Sequence, residues 1–130
     1  MIFLEVDDLL RIARRVLGRD PDVRDAGLLS AACARPRATV GGVDAYPTVH
    51  GKAAALVHSL ARTRGLVDGN KRLALAALIT FYGLQGLRLT WTNEQAYDCV
   101  IRVATGDLDE ARAIAPLLER STQPWAEDGR

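Results

Sequence analysis

Cysteine is scarce, neither sign of charge is in marked excess, and no long hydrophobic run occurs in these 130 residues. Cys33 and Cys99 stand far apart without CxxC spacing, which argues against zinc and against a thioredoxin-type redox pair; buried, unpaired thiols acting as small hydrophobes are expected. A net charge of +1 leaves no global basic field of the kind that drives non-specific binding to nucleic acid or to a membrane surface. No direct nucleic-acid contact is therefore expected, and any anion has to be held locally. The start Met1-Ile2-Phe3-Leu4-Glu5 has neither a basic n-region nor a long apolar stretch, so no leader and no membrane span are expected, and the cytoplasm is the expected compartment. Internal repeats and low-complexity tracts are absent as well.

What is present is the ordinary balance of a globular chain, 48% hydrophobic and 25% charged, long enough for one domain with its own core. A single domain over residues 1–120 is expected, with 121–130 as a disordered C-terminal tail poor in apolar residues apart from Trp125. Residues Ile2 to Leu4 read as a short strand. Leu9, Leu10, Ile12, Ala13, Val16 and Leu17 then recur at helical spacing behind Asp7-Asp8, and Gly18 closes that helix. A second helix runs from Asp22 or Asp25 through Cys33 and ends at Pro36. Arg37 to Pro47, with Gly41-Gly42 at its centre, has the composition of a hairpin or flap.

Beyond the flap, Val49, Ala53, Leu56, Val57 and Leu60 give a half-buried third helix ending near Thr63, with Lys52 off its apolar face. From Leu73 to Leu84 nearly every position is apolar, which predicts a helix covered on all sides at the centre of the fold. Gly86 stops it and Leu87 to Trp91 crosses in extended form. Thr92 with Gln95 is a capping-box signature for the next helix, and Asp107 with Glu110 opens a last one, interrupted or kinked at Pro116.

Chemistry is concentrated where the loop Arg64-Gly65-Leu66-Val67-Asp68-Gly69 meets the predicted central helix. Asn70 reads as its N-cap, and Lys71 and Arg72 place two cations where the aligned peptide dipoles already carry about half a positive charge. Free amides, the dipole, a glycine that admits close approach and two cationic side chains suit a phosphate. Lys71 would act as a point charge, Arg72 as a two-pronged fork, and Asn70 as a cap or a third contact. Asp68 would supply the single carboxylate that magnesium usually takes from a protein beside bound phosphates, so Mg2+ with ATP fits better than bare phosphate. The plain alternative is an ordinary Asp-Gly turn, a capping Asn70 and solvated surface cations.

The stretch Arg64 to Arg72 resembles the motif H-x-F-x-D/A-x-N-K-R of the Doc (death-on-curing) branch of the Fic/Doc family. Flanking matches agree in order, among them Gly27-Leu28-Leu29-Ser30, Ala34-Arg35-Pro36-Arg37, Tyr46-Pro47-Thr48, His58-Ser59-Leu60-Ala61-Arg62 and Gly86-Leu87-Arg88-Leu89. The resemblance spans Asp7 to about Glu119. It implies an all-α fold, a bundle of about six helices around a buried central helix, with a small β-hairpin flap at Thr39 to Tyr46 that aligns a target peptide. Lys71 stands where AMP-transferring relatives carry glycine. The Doc-type lysine implies a toxin that passes the γ-phosphate of ATP to a hydroxyl of elongation factor Tu or another cytosolic protein, restrained by a small Phd-like antitoxin.

This chain departs from the motif at its first residue. Arg64 occupies the position of the catalytic histidine, and Leu66 replaces the phenylalanine. A guanidinium has five donors and no acceptor, so Arg64 offers a further phosphate contact and not a base. His50, at the start of the third helix, is the better outside candidate for the lost base, since His58 reads as a structural histidine. Two functions follow: a Doc-like toxin binding Mg-ATP, or a catalytically silent Fic-fold protein that binds nucleotide or antitoxin without transfer. A helical interaction module without a ligand would leave the two cations at the helix start unexplained.

Overall fold

Local capping decides where most of the helices begin. In the computed structural model, which describes residues 1–125, six α-helices and two small antiparallel ladders are formed among the described residues. The helices are α1 (Val6–Leu17), α2 (Ala26–Ala34), α3 (Val49–Arg62), α4 (Asn70–Leu84), α5 (Asn93–Ala104) and α6 (Ala111–Arg120). Asp25 accepts from the amides of Gly27 and Leu28 ahead of α2, and Thr48 from that of Gly51 ahead of α3. Thr92 and Gln95 make the reciprocal box that the sequence announces for α5. Gly18, left-handed at φ 73°, closes α1.

The expected flap is a hairpin of β1 (Thr39–Val40) and β2 (Val43–Asp44), with Val40 opposite Val43 and Thr39 opposite Asp44. Gly41 and Gly42 have φ of 59° and 80°, the doubly left-handed two-residue turn whose twist matches antiparallel strands. As expected, α2 ends at Ala34, ahead of Pro36. The chain passes it in a 3-10 turn over Arg35–Arg37, where an early proline needs no amide partner.

The buried centre is α3, not α4. Lys52, the run Ala53 to Val57, Leu60 and Ala61 are all buried, and α3 packs against α2, α4, α5 and α6. Helix α4 packs against α1, α3, α5 and the strand Leu87–Leu89 and buries Leu73, Ala74, Ala77, Leu78, Phe81 and Tyr82, but it leaves Ile79 45% and Leu84 40% exposed, so one of its faces is open. The alanines of α3 explain the exchange: they carry little hydropathy yet let neighbouring helices approach closely on several sides.

Both chain ends differ from expectation. Residues 2–4 form no strand, because no strand lies beside them; the Gln85 side chain accepts from the Ile2 amide at 3.3 Å and donates to its carbonyl at 2.5 Å, and Phe3 stacks on Phe81. At the other end Thr122–Pro124 is a strand, β4, antiparallel to β3 (Leu87–Leu89), and Ser121 is buried. The ordered chain thus runs past residue 120 because β3 offers a free edge; the remainder of the expected tail, 126–130, lies outside the described residues. Helix α6 starts at Ala111 and Asp107 pairs instead with Arg102 at 2.8 Å, while Pro116 sits inside α6 without ending it.

Cys33 and Cys99 are free and buried, as expected, and burial pushes the Cys33 thiol up to about 11 and the Cys99 thiol upward. Among the described residues no helix is long and apolar enough to cross a membrane.

Candidate functional site

The loop from Thr63 to Gly69 joins α3 to α4 and is pinned along its length. The carbonyl of Gly65 accepts from the amides of Arg24 and Asp25 at 2.8 and 3.0 Å, and Val67 donates to Asp22 at 2.9 Å. Gly65 lies against Leu29 so closely that a Cβ would come within 2.5 Å of its Cδ2. Leu66, at the position of the motif phenylalanine, is fully buried. A loop held this way presents its polar groups from fixed positions.

Gly69, at φ 90°, is the N-cap of α4, and Asn70 is its first helical residue. The expected cap is not made, since the Asn70 carboxamide is turned back onto Leu66: Oδ1 accepts from the Leu66 amide at 3.0 Å and Nδ2 donates to its carbonyl at 2.9 Å. No side chain caps α4, and its first backbone bond runs from Leu73 to Gly69. The amides ahead of it therefore keep the local positive potential of an open helix start.

A polar cavity of about 480 Å³ opens over this start, lined by Arg62, Arg64, Asp68, Gly69, Asn70 and Lys71 among others. Arg72 is not among them. It lines a neighbouring apolar cavity with Val16, Leu75 and Tyr97, as successive helical residues diverge by about 100°. Among the described residues Arg64, Lys71 and Arg72 form no ion pair. Asp68 is exposed and only loosely held by Arg19 at 3.7 Å.

Arg62 is the site residue that sequence reasoning missed. Its guanidinium is fixed by Asp109 at 3.2 Å and by the carbonyl of Ala104 at 3.1 Å, at the edge of the cavity. The signal was available: an arginine in the last turn of a helix that feeds directly into the loop.

Neither histidine lines this cavity. His50 and His58 line a different cavity, of about 580 Å³, between the flap, α3 and α6. There the His50 Nδ1 lies 2.9 Å from the Tyr82 hydroxyl, and His58 is held between Arg35 at 2.7 Å and Asp109 at 3.3 Å. Burial, and then the charge of Glu119, push the Tyr82 phenol well above its usual range, which suits a packing residue with a hydrogen-bonded hydroxyl.

The family model of the Fic/DOC family matches residues 3–82, which covers the flap, α3, the loop and most of α4. The chain belongs to the Fic/DOC family. Within it the chain is Doc-like: over 109 residues it is 50% identical to "Toxin Doc" of Mycolicibacterium smegmatis, a match covering 82% of this chain and 84% of the relative.

Proposed function

We propose that this Doc-like toxin binds Mg-ATP at the start of α4 and transfers its γ-phosphoryl group to a hydroxyl of a translation factor, elongation factor Tu being the target that the resemblance implies. One observation carries the reading: Arg62, Arg64, Lys71 and an uncapped helix start face a single polar cavity, and neither Arg64 nor Lys71 is neutralised by a carboxylate among the described residues. That concentration of positive potential suits a polyphosphate, and about 480 Å³ is ample for one.

The cofactors fit the residues present. Lys71 and Arg64 would meet phosphate oxygens, with Arg62 behind them. Among the described residues no group of three or more His, Cys, Asp or Glu could hold a metal ion. A magnesium ion there would take one protein ligand, Asp68, and its other ligands from phosphate and water, neutralising phosphate charge during transfer. In the step itself the bond from the γ-phosphorus to the ADP oxygen breaks, a bond to the target hydroxyl oxygen forms, and the hydroxyl proton leaves to solvent. A positioned base contributes about 10²–10⁴-fold, whereas placement and neutralisation of the phosphates carry most of phosphoryl transfer. Slow transfer is therefore compatible with Arg64.

A Phd-like antitoxin is the proposed partner, and cytoplasmic action goes with the proposed target. The surface we assign to the antitoxin is the pair of adjoining apolar cavities that share Ile79 and Asn93, walled by Val16, Trp91 and Trp125 and edged by Arg72 and Arg88. An amphipathic helix with acidic flanks matches that composition.

Arg64, with both histidines lining another cavity, favours a second reading in which nucleotide and antitoxin bind but nothing is transferred. Incubation with ATP labelled at the γ-phosphate and purified elongation factor Tu tests the choice. Label appearing on the target supports transfer; bound ATP without label on any cytosolic protein leaves the silent reading.

A further inference from the structure

Lys52 is one of only two lysines in the chain, and its ammonium occupies a place lysine rarely takes. The residue is 5% exposed. From the first turns of α3 it reaches the stem of the flap, where it donates to Asp44 Oδ2 at 3.2 Å and to the backbone carbonyl of Tyr46. Both acceptors lie where β2 ends and the chain turns back toward α3.

Among the described residues no other buried charge holds the flap; at its opposite stem Arg37 pairs with Glu5 at 2.6 Å, but both residues are exposed. Val40 and Val43 point into solvent, and a Cβ at Gly41 or Gly42 would meet no atom within 4 Å. The ladder is two residues long, extended by one bond from the Ala45 amide to the Ala38 carbonyl at 2.8 Å. A lone hairpin of that size is at best marginal in water. Arg35 braces the far side of Tyr46 through its hydroxyl at 2.9 Å, but it holds the side chain and not the backbone.

We propose that Lys52 is a positioning residue, a latch whose buried ammonium fixes the backbone at the stem of the flap to α3 and so sets where the hairpin stands. The charge is what makes the latch stiff: an ammonium out of water holds its carboxylate and carbonyl because releasing them leaves it unpaired. An apolar residue of the same length would fill the space without that restraint.

Amide hydrogen exchange on the full chain tests this directly, comparing wild type with Lys52→Met and with Asp44→Asn. Exchange at Ala45 and the neighbouring flap amides is expected to speed up about tenfold or more in Lys52→Met, while core amides such as those of Leu56 and Leu78 keep their rates. Asp44 is exposed on the flap, so Asp44→Asn leaves the core intact; a smaller acceleration confined to the flap is expected. Asp44→Asn decides the matter if Lys52→Met lowers global stability or does not fold. Unchanged flap exchange in Asp44→Asn, or flap and core amides accelerating together in it, would overturn the latch.

Discussion

The carboxamide of Asn70 closes a ring of two hydrogen bonds on the backbone of Leu66, at 3.0 and 2.9 Å, and so ties the first turn of α4 to the loop before it. Leu66 is fully buried, and its amide and carbonyl have little access to water as an alternative partner. The residue that looks like a cap is thus a clasp, and the start of the helix is left to backbone amides.

Asn70→Ala is expected to cost about 2 kcal/mol in urea unfolding, since two buried backbone groups lose their partner. Asn70→Asp keeps the acceptor and loses the donor, so about half that loss is expected. Its added negative charge should also weaken nucleotide binding. Wild-type stability in Asn70→Ala would show that the clasp holds nothing.

The Asp8 carboxyl offers a test by pH. The Glu5 amide, and then the Arg11 side chain, hold it below its ordinary value of 3.8. Because the folded value is the lower one, the contribution is present above 3.8 and is lost as pH falls through the folded value. Asp8→Asn should lower stability at pH 7 by a few tenths to about 1 kcal/mol. The difference should vanish in acid; a constant difference from neutral to strongly acid pH would contradict the assignment.

Much of this molecule was legible in its sequence, because its signals are local. Gly41-Gly42 specifies the turn of the flap, Thr92 with Gln95 specifies the start of α5, and Gly18 closes α1. The centre of the fold was not legible in the same way. Hydropathy favoured α4, whereas burial depends on how many neighbours a helix accepts, and the small residues Ala53 to Ala55 let α3 accept the most. At the candidate site Arg64, Asp68, Gly69, Asn70 and Lys71 fall together as expected from one continuous segment. Arg72 does not, which the helical angle between adjacent residues could have indicated. The return of Asn70 onto Leu66 depends on a loop path set by contacts with Asp22, Arg24 and Asp25, distant in sequence and invisible to short-range spacing.

Arg64→His restores the motif residue, the base that the resemblance implies, in a cavity that no histidine lines among the described residues. If the wild type transfers slowly for want of that base, labelled transfer should rise about 10²-fold or more. Adding Leu66→Phe forces a larger ring into a fully buried slot and should cost about 1–3 kcal/mol of stability. A wild type already as fast as Arg64→His would show that the missing histidine is not limiting.

Calorimetric titration of Mg-ATP into the wild type and into Lys71→Ala measures the electrostatic claim on which the functional reading rests. Saturable binding is expected for the wild type, weakened about tenfold or more in Lys71→Ala because a charge-assisted phosphate contact is lost. No binding at saturating nucleotide, or equal affinity in the two proteins, would contradict it.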